Sequence, residues 1–122
     1  MKIGEVIKRV DQLCQNSYDR KEKIRWLSRL DWRVKNEIIN GSQGEEQVNF
    51  VGYDENTSME TVLLVPEPYD EMYEHFLIAQ IEYADHQEDR HNNAIALFDQ
   101  VWDRFAGWYI RTHMPKPHKL KF

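Results

Sequence analysis

Apolar side chains recur with helical period in four stretches of the chain. Ile3, Val6, Ile7, Val10, Leu13 and Cys14 follow one another at steps of three and four, which places them on one face of a helix. Asn16-Ser17 interrupts that stripe, and Asp19 with Glu22 three residues later reads as an N-cap and its capping-box partner. From there Ile24, Leu27, Leu30, Val34 and Ile38 form a second stripe, which stops at Asn40-Gly41, residues suited to a helix C-cap. The third stripe is Tyr69, Met72, Tyr73, Phe76, Leu77, Ile81 and Ala84. The fourth and strongest is Ala94, Leu97, Phe98, Val101, Trp102, Phe105 and Tyr109, and Pro115 and Pro117 close the helical region behind it.

Between the second and third stripes the period changes. Residues 41–61 hold Gly41, Gly44 and Gly52 among many polar side chains, a texture of loops and turns. Val48-Asn49-Phe50-Val51 and Thr61-Val62-Leu63-Leu64-Val65 are β-branched runs that suit a small antiparallel ribbon around Tyr53–Met59, lying on the helices or on a neighbour. Val65-Pro66-Glu67-Pro68 reads as an extended connector, with Pro68 in the first turn of the third helix. No repeat and no domain boundary interrupts the chain. The expected fold is therefore mostly all-α: two helical hairpins forming a small bundle, with a short β-ribbon or loop excursion between helices two and three. Residues 1–122 form one domain, with a flexible basic tail from about 111.

Composition agrees with one folded domain. A chain of 122 residues is long enough for one modest core, and 41% hydrophobic with 12% aromatic residues argues against disorder despite 30% charged ones. Cys14 is the single cysteine, so no internal disulfide forms and synthesis in a reducing cytoplasm is expected. Met1-Lys2-Ile3-Gly4-Glu5 has no apolar signal core behind its charge, and no apolar run approaches the roughly 20 residues of a membrane span.

Charge changes the picture more. Lys and Arg are absent from Asn36 to Asp89, a span with 14 acids. Residues 1–35 carry 10 basic and 5 acidic side chains, residues 90–122 carry 6 and 2, and the chain as a whole carries −5. One reading is that these are solvated surface residues. The sharper reading is complementarity between copies, with an acidic face that includes Glu45, Glu46, Asp54, Glu55 and Glu60 meeting a basic one on the next subunit. Candidate basic contacts are Lys21, Arg25, Arg29 and Arg33, four apart on helix two, and the tail residues Arg111, Lys116, Lys119, Lys121 and Phe122. The row on helix two is either a solvated helix face, a protein-binding face or a face for the DNA major groove, with the acidic middle counting against DNA.

No residue set points to catalysis. Ser17, Ser28, Ser42 and Ser58 lack the setting of a nucleophile elbow, and there is no phosphate-binding glycine loop. Cys14 lies on an apolar stripe and reads as an inert buried thiol. Glu82, Asp85, His86, Glu88, Asp89 and His91 offer metal-ligating atoms, as do Glu71 and His75. Neither group shows the Glu-x-x-His spacing of di-iron bundles, and the first reads as a polar turn between helices three and four. No catalytic residue, cofactor or metal is expected.

Several stretches carry a likeness to known proteins. They are Ile3-Gly4-Glu5-Val6-Ile7, Trp26-Leu27-Ser28-Arg29-Leu30-Asp31, Leu63–Tyr73, Ala79-Gln80-Ile81-Glu82-Tyr83, Arg90-His91-Asn92-Asn93 and Trp108–Pro115. Together they resemble small proteins encoded among the head-morphogenesis components of Gram-positive phages and prophages, over nearly the whole chain and least at 41–60. By size, hairpins and mid-chain excursion the chain resembles head–tail connector, or adaptor, subunits of long-tailed phages. That resemblance implies a non-catalytic subunit of the phage neck that joins portal and head to tail as an oligomeric ring around the DNA channel. Its partners would be the portal protein, a neighbouring neck or tail-completion protein, and further copies of itself, self-association in some members waiting on docking. DNA would pass through without specific binding, past an acidic segment that offers phosphates no cations. The implied location is the host cytoplasm during assembly and the virion neck afterwards. The alternative is a small DNA-binding regulatory protein using the basic face of helix two.

Overall fold

In the computed structural model the chain is described for residues 1–40 and 49–113. Helix α1 spans Ile3–Leu13; the Lys2 N–H donates to Glu5 Oε1 at 3.0 Å, satisfying a donor that the helix start leaves open. Ile3, Val6, Ile7 and Val10 are buried, but Leu13 is 58% exposed and Cys14 only half-buried. The backbone turns extended at Cys14, so the stripe leaves the core a turn earlier than its sequence suggests.

Helix α2 spans Arg20–Arg33, and Asp19 caps it by accepting the Glu22 N–H at 3.0 Å. Ile24, Leu27 and Leu30 are buried as the stripe requires. The helix then widens into a π-helical segment, Val34–Ile39, closed by the Asn40 N–H on the Lys35 carbonyl at 2.7 Å. A wider turn places Val34, Ile38 and also Ile39 against the core. Gly41, the expected cap, lies outside the described residues.

Among the described residues of the excursion, from Asn49 on, the chain forms loop and turn and the expected ribbon does not form; Val48 lies outside them. Phe50 is buried against Trp32 and Tyr53, with ring centroids 5.0 and 4.9 Å away. At Gly52 the chain passes close to α2 with φ +90°, and a Cβ there would meet Trp32 Nε1 at 3.1 Å and Ser28 Oγ at 3.2 Å. Only glycine takes that conformation in that space. Residues 61–63 pair instead with the N-terminus: Ile3 N–H donates to the Thr61 carbonyl at 3.0 Å and Leu63 N–H to the Met1 carbonyl at 2.9 Å, around an antiparallel bridge between Lys2 and Val62. The next two N–H donors go to side chains, Leu64 to Asp31 and Val65 to the Tyr73 hydroxyl, so neither is left for a partner strand.

Helix α3 spans Glu71–Ala84, preceded by turn-like hydrogen bonds from Pro66 to Tyr73 rather than by Pro68 in its first turn. Helix α4 follows a short turn at Asp85–Gln87 and spans Glu88–Thr112, about 37 Å at the helical rise. Met72, Tyr73, Phe76, Leu77, Ile81, Ala94, Phe98, Val101 and Phe105 are buried, whereas Ala84 and Leu97 are exposed. Arg111 belongs to the last turn of α4 rather than to a tail; Pro115 and Pro117 lie outside the described residues.

Contacts along the helices fix their directions. Arg9 meets Glu74 at 2.7 Å and Cys14 meets Glu82 at 3.2 Å, so α1 and α3 run the same way. Tyr18 meets Asp85 at 2.7 Å while Asp31 meets Tyr73 at 2.6 Å, so α2 runs against α3. Phe76 packs on Phe98 and Tyr69 on Phe105, so α4 also runs against α3. The chain is an all-α bundle of two helical hairpins, as the stripes predict. One end holds Cys14, Asp85 and Arg90; the other holds Met1, the excursion and the end of α4.

Candidate functional site

The largest departure from simple apolar packing is Asp31. It stands on the inner face of α2 with no exposure to solvent. Burying an ionised carboxylate is costly unless hydrogen bonds replace water. Three donors do so: the Tyr73 hydroxyl on Oδ1 at 2.6 Å, and the Tyr53 hydroxyl at 2.6 Å and the Leu64 N–H at 3.1 Å on Oδ2. Burial raises the Asp31 pKa, and the three bonds pull against that rise. Burial also pushes the hydroxyls of Tyr53 and Tyr73 up, with the charge of Asp31 adding to it. Tyr73 in turn accepts the Val65 N–H at 2.8 Å. The network ties α2, the excursion and α3 together.

The row Lys21, Arg25, Arg29 and Arg33 does lie on the exposed face of α2. Lys21 stands 3.5 Å from Glu55, Arg25 3.6 Å from Glu22, and Arg33 3.2 Å from Glu37. Arg33 also lies over the Trp102 ring, 4.6 Å from its centroid, which fastens it to α4. Arg29 makes no ion pair among the described residues.

The basic ends and the acidic centre meet within one chain. Met1, Lys2, Arg9, Lys21, Arg90 and Arg104 pair with Asp70, Glu60, Glu74, Glu55, Glu82 and Glu71 respectively. Most of these pairs are exposed, where each is worth at most about 1 kcal/mol. Of the expected acidic face, Glu55 and Glu60 are thus paired inside the chain. Asp54 organises a turn, its carboxylate accepting the Asn56 N–H at 2.8 Å. Arg111 is exposed on α4. Glu45, Glu46, Lys116, Lys119, Lys121 and Phe122 lie outside the described residues.

A second inward-facing acid occupies the opposite end of the bundle. Glu82, on α3, is 7% exposed. Its Oε1 accepts the Cys14 thiol at 3.2 Å, while Oε2 has no hydrogen-bond partner among the described residues. The Arg90 guanidinium stands 4.0 Å from Oε2, near enough for attraction and too far for a hydrogen bond. Because α1 ends at Leu13, a groove of about 640 Å³ opens here between α1, α3 and α4, lined by the apolar Leu13, Ile78, Ala94 and Leu97 and by the polar Gln15, His75, Asn93, Arg90 and Glu82. The Cys14 thiol is pushed up to about 11 by burial first and then by its bond to Glu82 and that residue's charge. A thiol so protonated at neutral pH is a poor nucleophile.

Among the described residues no group of three or more His, Cys, Asp and Glu side chains is placed to hold a metal ion. The acids and histidines at the α3–α4 turn diverge: Glu82 turns inward, Asp85 accepts from Tyr18, and His91 bonds the Ala79 carbonyl at 2.8 Å. Among the same residues no helix is long and apolar enough to cross a membrane.

Periodicity missed the burial of Asp31 and Glu82. Asp31 lies one residue after Leu30 and Glu82 one after Ile81, so each flanks a core position, and that adjacency is the signal a stripe-only reading discards. No family model, curated protein or solved structure matches this chain.

Proposed function

We propose that this chain is a structural subunit of a long-tailed phage neck that joins portal and head to tail by head-to-tail association into a ring. The observation that carries the proposal is the likeness of the stretches around Ile3–Ile7, Leu63–Tyr73 and Trp108–Pro115 to small phage head-morphogenesis proteins. Two features of the bundle support it. Its ends are unlike, a groove of mixed apolar and polar lining with a buried acid at one and the outlet of α4 into a basic segment at the other, as a heterologous contact requires. Its Asp31 network joins α2, the excursion and α3, a framework role that suits a building block. Mixing the protein with its cognate portal and imaging by electron microscopy tests the proposal: rings docked on the portal are expected, and their absence at every salt concentration would sink it.

The exposed row of Lys21, Arg25 and Arg29 on α2 supports a second reading, a small DNA-binding regulatory protein. Lys21 and Arg25 have carboxylate partners close by, which weakens their pull on phosphate. A salt-dependent duplex-binding assay distinguishes the two. Binding at low salt that is abolished by Arg25→Glu with Arg29→Glu would favour the regulator, and no binding at low salt removes it.

A further inference from the structure

We infer that the groove between α1, α3 and α4 receives the C-terminal segment, residues 114–122, of a second copy of this chain. The inference rests on the head-to-tail reading above and names the contact that makes it.

The groove has an unmet requirement. The Glu82 side chain is 10% exposed, its Oε2 has no donor among the described residues, and Arg90 stands 4.0 Å away with 72% of its own side chain in solvent. A buried acceptor without a donor is costly. Around it the walls present Leu13, 58% exposed, and Leu97, 46% exposed. The complement to such a surface is an ammonium on an alkyl stem, flanked by apolar side chains: the stem covers the walls and the head bonds the carboxylate.

Residues 114–122 have that chemistry. They read Met-Pro-Lys-Pro-His-Lys-Leu-Lys-Phe, with three lysines, no acidic side chain, and cationic and apolar residues alternating over Lys119-Leu120-Lys121-Phe122. Bound in extended form, the segment would set Leu120 and Phe122 on one side and Lys119 and Lys121 on the other. A segment lying along the groove edge then offers the walls its apolar pair and the base a lysine.

Placement favours a second copy over the segment's own chain. The groove is lined by residues of the first turns of α4, Arg90 to Leu97, whereas the segment leaves from the far end of that helix. From Thr112 back to Leu97 is about 22 Å of helix. The nine residues 114–122 span at most about 30 Å fully extended, so within one chain only the last few would arrive, with the segment drawn taut along α4. In a copy placed end to end, the groove faces the outlet of α4 and the whole segment can engage. The contact is heterologous and repeats from copy to copy, closing a ring where the rotation allows. One short segment binds weakly by itself, so assembly responds to local concentration, as it would when copies gather on a portal.

The test uses the full-length chain with a photoreactive benzophenone in place of the Phe122 ring, isotope-labelled and unlabelled copies mixed in equal amounts. Cross-links should join differently labelled chains and map to peptides containing Leu13, Ile78 or Leu97. Glu82→Gln, and separately Lys119→Glu with Lys121→Glu, should each lower that cross-linking at least about tenfold, with helical content and melting temperature checked for each variant. Cross-links confined to one chain, or none at the groove either at high concentration or on the docked portal, overturn the inference. Docking of the unaltered protein on the portal is scored in parallel. Docked rings without groove cross-links leave the neck proposal standing and this contact refuted, whereas groove cross-links without docking uphold the contact and refute the neck.

Discussion

Asp31 and Glu82 are both carboxylates turned into the bundle, on antiparallel helices and towards opposite ends of it. Asp31 accepts three hydrogen bonds from three different segments and has no exposure to solvent. Glu82 has nearly as little exposure but only one donor, the weak Cys14 thiol, and one oxygen without any. The difference follows from what surrounds each. The excursion folds over Asp31 and brings Tyr53 and Leu64 with it. The residues that cover Glu82 bring it a single thiol, and the nearest cation, Arg90, stands 4.0 Å from Oε2. A buried charge satisfied within one chain holds the fold together; one satisfied by half, in the lining of a groove, invites a contact from outside.

The largest expected effect separates the two acids directly. Asp31→Ala leaves two tyrosine hydroxyls and the Leu64 N–H without their acceptor and should cost about 3–5 kcal/mol in denaturant unfolding. Glu82→Gln, measured alongside, should stay within about 1 kcal/mol, since the amide oxygen still accepts from Cys14. Equal losses would break the comparison.

The tyrosines sharpen it next. Tyr73→Phe removes the link between Asp31 and the Val65 N–H and should cost about 1–3 kcal/mol, more than Tyr53→Phe at the less buried hydroxyl. Both hydroxyls are raised above their ordinary value of 10.0. The folded chain therefore keeps phenolic protons that the unfolded chain gives up, so their stabilisation is complete below pH 10 and falls as pH rises beyond it. Unfolding midpoints followed into the alkaline range should drop steeply for the native chain and less steeply for Tyr73→Phe.

How much of this the sequence discloses depends on what holds each part. The four helices are legible because their cores are built from periodic apolar positions, and Ile24, Leu27, Leu30, Val34 and Ile38 are all buried as their spacing requires. The π-helical widening at Val34–Ile39 is not, since one extra residue per turn leaves no mark on a stripe already spaced by four. The excursion deceives for another reason. Val62, Leu63, Leu64 and Val65 form a run with strand-like side chains, yet their partners are the N-terminus, Asp31 and Tyr73, contacts 8 to 62 residues away that no local pattern reveals. The charge blocks were legible as blocks, but that much of the acidic centre meets basic ends of the same chain emerges only from the fold. Gly52 is a position where sequence and fold agree once both are known. Gly52→Ala should cost about 1–2 kcal/mol by straining the φ of +90° and pressing on Trp32, and should lower the alkaline sensitivity by loosening Tyr53 from Asp31.

The smallest effect on stability gives the cleanest reading of Glu82. Cys14 is held at about 11, against 9.0 for a free thiol, by burial first and by the hydrogen bond and charge of Glu82 after it. Glu82→Gln removes the charge and leaves the burial, so the thiol should move part of the way back. The lower pKa raises the thiolate fraction at any pH well below it, and iodoacetamide alkylation should accelerate. An occupant of the groove acts in the opposite sense, shielding Cys14 whatever its protonation. Alkylation of the native chain should therefore slow as protein concentration rises and copies engage one another, and the dependence should vanish in Lys119→Glu with Lys121→Glu. If alkylation were unaffected by Glu82→Gln and by concentration alike, Glu82 would be as self-contained as Asp31 and the contrast between the two acids would disappear.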